Sequence, residues 1–144
     1  MEKYNAYKLD NQLCFPLYAA SREVIKSYRP FLDQIDLTYT QYIAMMVIWE
    51  KNTITVKELG ERLFLDSGTL TPVLKSLEAK GFISRSRSKE DERILNVRLT
   101  RAGERLKDKA AEIPYKVYEN TDIEPQDADA LNSLLQKLLS KLRN

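Results

Sequence analysis

A pair of short, capped helical segments in the middle of the sequence constrains the fold of this chain most. A capping box at Thr55 predicts a helix from Val56 to Leu63. After a tight connection, Asp66 or Ser67 can cap a second helix that ends near Lys80, with apolar residues at helical spacing along one face. Two helices joined by a turn of about three residues, the second with an apolar back and a polar front, predict a helix-turn-helix.

The apolar period then changes from helical to alternating. Gly81 stands where a helix ends, and Phe82–Arg87 and Ile94–Leu99 alternate as β-strands do. The charged loop 88–93 joins them into a hairpin. The helices and the hairpin together predict a winged helix-turn-helix DNA-binding lobe over residues 53–100.

Helical segments flank this lobe. Apolar spacing predicts a helix from about Leu9 to Tyr28, which Arg29-Pro30 closes because the residue before proline avoids the helical region. Thr38, with Gln41 three residues later, predicts the start of a second helix that runs to Trp49 and is apolar nearly all round. That helix should be the most buried.

Two more helices are predicted after the hairpin. Thr100 caps one that runs from Arg101 into Glu119, and Pro125 starts the last. The apolar stripe of the last helix must be buried on its own domain or on a second subunit. It consists of Ala128, Leu131, Leu134, Leu135, Leu138 and Leu142. We expect one chain, 1–144, mainly α with a small β-hairpin wing, in which residues 1–35 and 101–144 form dimerisation helices.

The composition excludes several kinds of chemistry. The 144 residues include no histidine, one cysteine and four glycines. Histidine-based triads, metal sites built on histidine or several thiolates, intrachain disulfides and glycine-rich phosphate loops are therefore not expected. The longest apolar run, Ile43 to Trp49, is too short to cross a bilayer, and no secretory leader is evident. We expect a cytoplasmic protein that is not an enzyme, contacts no membrane and needs no cofactor.

Charge favours the middle of the chain as a nucleic-acid surface. Residues 55–101 carry ten Lys/Arg against seven Asp/Glu, whereas the flanks carry thirteen against fourteen. This mild asymmetry is also compatible with ordinary solvated charges. The predicted DNA-binding residues lie on the second helix and on the hairpin, where Asp91 would brace the guanidinium of Arg93 in a fork-like pair. They are Ser67, Thr69, Thr71, Lys75, Arg85, Arg87, Lys89, Asp91 and Arg93.

At this level of detail the sequence resembles a known family. The order of helices around a winged helix is similar to that of the MarR family of dimeric bacterial transcription regulators. Particular runs are similar to its organic-hydroperoxide-sensing (OhrR-like), one-cysteine subfamily. These runs are Leu13-Cys14-Phe15, Asp36-Leu37-Thr38-Tyr39, Phe64-Leu65-Asp66-Ser67-Gly68-Thr69-Leu70-Thr71-Pro72 and Asp91-Glu92-Arg93.

The resemblance implies a function for the cysteine. In that subfamily the early cysteine is a thiolate that a hydroperoxide oxidises to sulfenic acid, which releases the repressor from pseudo-palindromic operator DNA. A position near a helix N-terminus favours thiolate, which is the form that peroxides attack. With no second cysteine, the sulfenic acid of Cys14 must be capped by a small cellular thiol, form a sulfenamide or be oxidised further.

Tyrosines are the expected partners of the thiolate. Tyr18 lies one helical turn from Cys14, whereas Tyr28 lies roughly 21 Å away along a straight helix and cannot touch the cysteine of its own chain. A homodimer with antiparallel first helices would bring Tyr28 to the partner's cysteine. The resemblance implies the same approach for Tyr28 and Tyr39.

Pro16, two residues after Cys14, predicts a kink or a late helix start beside the cysteine. Either outcome would alter how the helix dipole addresses the sulfur.

Other interpretations remain open. Cys14 is alternatively a small structural hydrophobe in a regulator that binds a small aromatic or lipid-like ligand. A thiol peroxidase is disfavoured, because no basic residue closely flanks Cys14 and no resolving thiol exists. A DNA-architectural protein would bind many sequences with similar affinity.

Overall fold

The computed structural model describes residues 3–143 and is mainly helical, with one small antiparallel sheet in the strand order β1–β3–β2. The predicted fold class, mainly α with a small hairpin wing, is confirmed. In chain order the elements are two 3-10 turns (Asn5–Tyr7 and Leu9–Asn11), α1 (Cys14–Asp33), α2 (Tyr39–Lys51), β1 (Thr53–Thr55), α3 (Val56–Leu63), α4 (Ser67–Ala79), β2 (Ile83–Arg87), β3 (Leu95–Leu99), α5 (Arg101–Ala110), α6 (Ile113–Thr121) and α7 (Pro125–Leu142).

The first helix starts and ends later than the sequence predicted. The apolar spacing suggested Leu9–Tyr28, but α1 spans Cys14–Asp33 and continues through Pro30. Pro16 lies in the first turn, where N–H groups have no intrahelical partner, so it costs the helix no hydrogen bond. The late start predicted from Pro16 is confirmed. Pro30 is tolerated because it removes only one hydrogen bond near the C-terminal end of α1.

Helix α2 is the centre of the core, as predicted. The Thr38 hydroxyl accepts a hydrogen bond from the Gln41 N–H (3.3 Å), and the Thr38 N–H donates to Gln41 Oε1 (3.0 Å), so the predicted capping box is present. The largest fully buried side chains come from α2 itself, from α3 and α4, and from strand β3. They are Met45, Ile48, Leu59, Leu70, Leu74, Leu77 and Val97.

The sheet has one strand that the sequence did not reveal. The predicted hairpin is formed by β2 and β3, with Ile83 opposite Leu99 and Arg87 opposite Leu95. Strand β1 pairs with the other edge of β3. Its three residues are too few for an alternating pattern to be recognised.

The helix predicted from Arg101 into Glu119 is broken. Helix α5 ends at Ala110 and α6 begins at Ile113. Pro114 has no N–H to donate to the Ala110 carbonyl, so the helical ladder stops and restarts with the proline in the first turn of α6.

The chain divides into two compact units, residues 1–113 and 114–144. The first contains α1 to α5 and the sheet. The second contains α7 and nearly all of α6. The lobe boundaries expected from the sequence, 53–100 with dimerisation segments 1–35 and 101–144, stay a prediction. In the second unit no described residue of α7 is buried, and Leu134 is 64% exposed. Among residues 3–143, no helix is long and apolar enough to cross a membrane.

Candidate functional site

The predicted DNA-reading helix is α4, and its polar front is exposed. Asp66 provides the N-cap, with its Oδ1 accepting a hydrogen bond from the Thr69 N–H at 2.7 Å. This backbone hydrogen bond is the main cause that lowers the pKa of Asp66, so the cap stays ionised at neutral pH. Leu70, Leu74 and Leu77 anchor the back of α4 in the core. The exposed front carries Ser67, Thr69, Thr71 and Lys75.

The turn that enters α4 has a fixed geometry. Phe64 ends α3 in the left-handed conformation (φ 57°), and the Leu65 N–H donates to the Gly60 carbonyl at 2.9 Å. A Cβ at Gly60 would lie 2.7 Å from the Leu65 carbonyl oxygen, so any other residue there would push the turn apart. The angle between α3 and α4 therefore depends on a glycine at position 60.

The tip of the hairpin holds the expected pair. Arg93 Nε donates to Asp91 Oδ1 and Arg93 Nη2 to Asp91 Oδ2, both at 3.1 Å. The bidentate contact lowers the pKa of Asp91 and orients a side chain of Arg93 that is 90% exposed. Arg87 donates to the Glu92 carbonyl at 2.9 Å, which ties β2 to the tip. Lys89 is exposed on the same loop. The tip thus presents a braced guanidinium and further positive charge to the outside.

Arg85 has a different environment from the one expected of a DNA contact. Its Nη2 lies 3.1 Å from Glu78 Oε1, its backbone N–H donates to Glu78 Oε2 at 3.0 Å, and its side chain is 18% exposed. These hydrogen bonds lower the pKa of Glu78. The pair joins the hairpin to α4, so Arg85 holds together the two elements that are predicted to contact DNA. The prediction that it also contacts DNA stays a prediction.

Cys14 is the first residue of α1 and is exposed. Three apolar neighbours, Leu13, Phe15 and Leu17, are exposed with it. The first N–H groups of a helix have no intrahelical partner, so they are available to a polar group bound at such a position. An accessible sulfur in this environment can react as a nucleophile with a peroxide oxygen.

Two of the predicted tyrosine partners lie together, and a third tyrosine joins them. The ring centroids of Tyr28 and Tyr39 are 5.2 Å apart, and Tyr42 lies 5.8 Å from Tyr28. We call Tyr28, Tyr39 and Tyr42 the tyrosine cluster. Burial is the main cause that raises the pKa of all three phenols, that of Tyr42 to about 12. Each phenol therefore keeps its proton at neutral pH and remains a hydrogen-bond donor.

Tyr18 is not part of this cluster. Its ring is exposed and lies 5.1 Å from the Arg22 guanidinium carbon, in a cation–π contact. The continuous helix from Cys14 to Tyr28 confirms the separation of roughly 21 Å within one chain. The tyrosine cluster is therefore beyond reach of the cysteine of its own chain.

The sequence analysis missed three residues at these sites. Tyr42 lies within the predicted second helix, but no functional role was predicted for it. Glu78 was not recognised as the partner of Arg85, because pairs between elements leave no local spacing signal. Gln41 was identified only as a capping residue, whereas its side chain also reaches α4. Among the described residues, no group of three or more cysteines, aspartates and glutamates is placed to hold a metal ion.

Comparisons with known proteins agree on the kind of protein. Residues 26–110 match the family model described as transcriptional regulator SarA/Rot. The chain is 49% identical over 140 residues to the organic hydroperoxide resistance transcriptional regulator of Bacillus subtilis (strain 168), covering 97% of this chain and 95% of that protein.

Solved structures match over nearly the whole chain. Reduced AbfR bound to DNA is 32% identical with a TM-score of 0.81, covering 99% of this chain and 100% of AbfR, a protein of Staphylococcus epidermidis. The apo form of MarR from E. coli is 24% identical with a TM-score of 0.71, covering 89% of this chain and 97% of MarR. The MarR match supports the fold alone. The predicted resemblance to MarR-type, organic-hydroperoxide regulators is confirmed.

Proposed function

The chain belongs to the SarA/Rot family of winged-helix transcriptional regulators, and from that membership we propose that it is a dimeric repressor that senses organic hydroperoxides through Cys14. One observation carries the proposal. The only thiol of the chain is exposed at the first residue of α1, in a sequence 49% identical over 140 residues to an organic hydroperoxide resistance regulator. The protein acts in the cytoplasm, where its operator DNA lies.

The reaction consumes one hydroperoxide per chain. The thiolate sulfur attacks the terminal oxygen of R–O–O–H, an S–O bond forms and the O–O bond breaks. The alkoxide RO⁻ leaves and takes a proton from the solvent to give the alcohol ROH. Cys14 becomes sulfenic acid. A small cellular thiol R′SH then gives the mixed disulfide Cys14–S–S–R′ and water. No second cysteine in the chain competes for this step. The protein is therefore a stoichiometric sensor and not a turnover enzyme.

A dimer supplies both the DNA geometry and the partners of the thiolate. Apolar side chains are exposed on α1 and, in the other unit, along α7. Burying such faces against a second copy is favourable, and two-fold symmetry presents two α4 helices to half-sites about one helical turn apart or a multiple of it. Across such an interface the protonated phenols of Tyr28 and Tyr39 donate hydrogen bonds to the thiolate of the partner's Cys14.

In the DNA complex α4 enters the major groove. Ser67, Thr69 and Thr71 face base edges and phosphates from its N-terminal half, with Lys75 a turn further along. The hairpin follows the DNA backbone beside the adjacent minor groove, and its braced Arg93 contacts a phosphate there. Oxidation and capping of Cys14 displace the tyrosine cluster and with it the spacing of the two α4 helices.

The test is fluorescence anisotropy on promoter DNA at fixed salt. Reduced protein is titrated first, then protein treated with one equivalent of an organic hydroperoxide and a small thiol, and then the same sample after a reductant. Cys14→Ser is the matched variant, because it keeps a small polar side chain and removes only the sulfur. We expect wild type to release DNA and to rebind after reduction, while Cys14→Ser stays bound throughout.

The opposite result is equally clear. If wild type keeps its DNA affinity when mass spectrometry shows Cys14 fully modified, the sensing function is wrong, and a ligand-switched regulator becomes the better description.

A further inference from the structure

The core contains one buried polar residue among those described, and its position is informative. Gln41 is 7% exposed and belongs to α2. Its Oε1 accepts hydrogen bonds from the Thr38 N–H at 3.0 Å and from Lys80 Nζ at 3.2 Å, and its Nε2 donates to Ser76 Oγ at 2.9 Å. A buried amide that is bonded at both ends fixes the groups around it in one arrangement.

These bonds connect the corner between α1 and α2 to the C-terminal end of the DNA-reading helix. Ser76 lies in the last turns of α4, and Lys80 is its C-cap. Lys80 Nζ also donates to the Asp36 carbonyl oxygen and lies 3.6 Å from the Asp36 carboxylate. Asp36 turns the chain between the two helices with φ 53°. We call Asp36, Thr38, Gln41, Ser76 and Lys80 the corner network.

The tyrosine cluster occupies the same corner. Tyr39 and Tyr42 flank Gln41 along α2, and Tyr28 reaches them from α1. The first turn of α2 therefore carries Tyr39, one of the two phenols that address the partner's cysteine, together with the amide that holds α4. A shift of the rings changes the position of this turn, and the amide moves with it.

We propose that Gln41, through Ser76 and Lys80, is the positioning residue that transmits the state of the tyrosine cluster to the DNA-reading helix. This inference rests on the proposed function and names the path of its regulation. Apart from the corner network, the Glu78–Arg85 pair ties α4 to the hairpin, and Leu70, Leu74 and Leu77 anchor the back of the helix in the core. Apolar contacts of this kind are non-directional and permit small tilts, whereas hydrogen bonds are directional.

The corner network holds α4 far from the end of the helix that reads DNA. Ser76 and Thr69 are seven residues apart, so the network grips α4 roughly 10 Å from the end that reads DNA. A change in the corner network tilts the helix about its leucine anchors and displaces Thr69 in the groove.

The experiment compares operator affinity in the two redox states of the full-length dimer. Ser76→Ala and Lys80→Met are the test variants, because neither side chain belongs to the apolar core. Lys51→Met is the charge-matched control at the exposed end of α2. Ser76→Thr and Lys80→Arg keep the hydroxyl and the cationic donor. Circular dichroism and thermal midpoints establish that every variant is folded.

We expect Ser76→Ala and Lys80→Met to bind operator within about threefold of wild type when reduced. The ratio of oxidised to reduced Kd should fall about tenfold in both, since the coupling and not the binding surface is lost. Lys51→Met, Ser76→Thr and Lys80→Arg should keep the wild-type ratio.

Other outcomes overturn the inference. An unchanged ratio in both test variants means that coupling takes another path. Equal weakening in both redox states means that the network is only structural. If wild type itself shows no redox-dependent ratio, the proposed function is wrong and the inference fails with it. A fall in the ratio of oxidised to reduced Kd in the two test variants alone supports the inference and agrees with the proposed function.

Discussion

Tyr42 illustrates how burial sets the behaviour of a single side chain. It is 2% exposed, and burial together with Tyr28 and Tyr39 raises its pKa from the ordinary 10.0 to about 12. An unfolded chain loses this proton near pH 10, whereas the folded chain keeps it. Between pH 10 and pH 12 the unfolded state binds fewer protons than the folded state. The contribution of this phenol to the free energy of unfolding is therefore fully present below pH 10 and is lost as the pH rises toward 12.

Replacement of this phenol makes the effect measurable. Each pKa unit corresponds to about 1.4 kcal/mol. Between pH 9 and pH 12, the free energy of unfolding of wild type should therefore fall by about 2 kcal/mol more than that of Tyr42→Phe. Urea unfolding at a series of pH values measures the difference. Tyr115→Phe is the control, because Tyr115 is exposed. A Tyr42→Phe variant with the same alkaline slope as wild type would contradict this origin.

Arg93 and Asp91 give a second prediction at this scale, on DNA binding. Removing a cation that neutralises a phosphate lowers the slope of log Kd against log salt by about one for each arginine, or about two for each dimer. Arg93→Ala should reduce the slope in this way. Asp91→Asn leaves the charge of Arg93 but removes its bidentate brace, so it should weaken operator binding without lowering the slope. Anisotropy titrations at several salt concentrations measure both effects. An unchanged slope of log Kd against log salt in Arg93→Ala would place Arg93 away from the DNA backbone.

Local residues were predictable because their signals are local. The Asp66 cap and the Asp91–Arg93 fork join positions two or three residues apart, and both are present. Arg85 was beyond such reasoning, since its partner is seven residues away in another element. The predicted DNA contacts on α4 are exposed, but exposure alone does not test them.

Among the elements, the contact between α4 and the hairpin is the one most open to experiment. If Arg85 acts through Glu78, then Glu78→Gln and Arg85→Met should each weaken operator binding, by about threefold to tenfold, and the double variant should add little. If Arg85 instead contacts phosphate directly, Glu78→Gln should leave binding unchanged or strengthen it. Operator Kd values for the three variants distinguish the two cases.

Acid should act on the same contact. Arg85 lowers the pKa of Glu78, so the pair persists as pH falls through the ordinary range of a glutamate and is lost only when pH falls through the lowered value.

Element boundaries show where sequence patterns stop being sufficient. The capped helices α2, α3 and α4 begin where their caps predicted, because a cap fixes the first turn. Apolar spacing could not separate the 3-10 turns before Cys14 from α1. It also concealed the break before Pro114, since Leu106, Ala110, Ile113 and Val117 keep a helical period across it.

At the scale of the whole molecule, the exposed stripe of α7 predicts dimerisation. Leu134→Glu places a charge on the apolar stripe without disturbing a protomer core, since no described residue of α7 is buried. We expect wild type to sediment as a dimer at micromolar concentration, and Leu134→Glu to dissociate and to lose most of its operator affinity. Ser133→Glu, on the polar face of α7, is the control.

A wild-type monomer at that concentration would remove both the paired operator and the cysteine–tyrosine contact between subunits. Dimerisation is also the property that was hardest to predict from the sequence. An apolar stripe requires a covering surface, but its spacing is the same whether that surface is internal or a second copy.

The solitary thiol at the start of α1 has a consequence for the timing of the response. A chain with two cysteines can store an oxidation event as its own internal bond. Under the proposed function, oxidised Cys14 is capped by a small thiol from the cell, and the chain has no second cysteine that could remove this cap. The promoter would then stay open until reductants of the cell remove the cap, whether or not any peroxide remains. The start of the response therefore depends on the peroxide, while its duration depends on how quickly the cell restores its reductants.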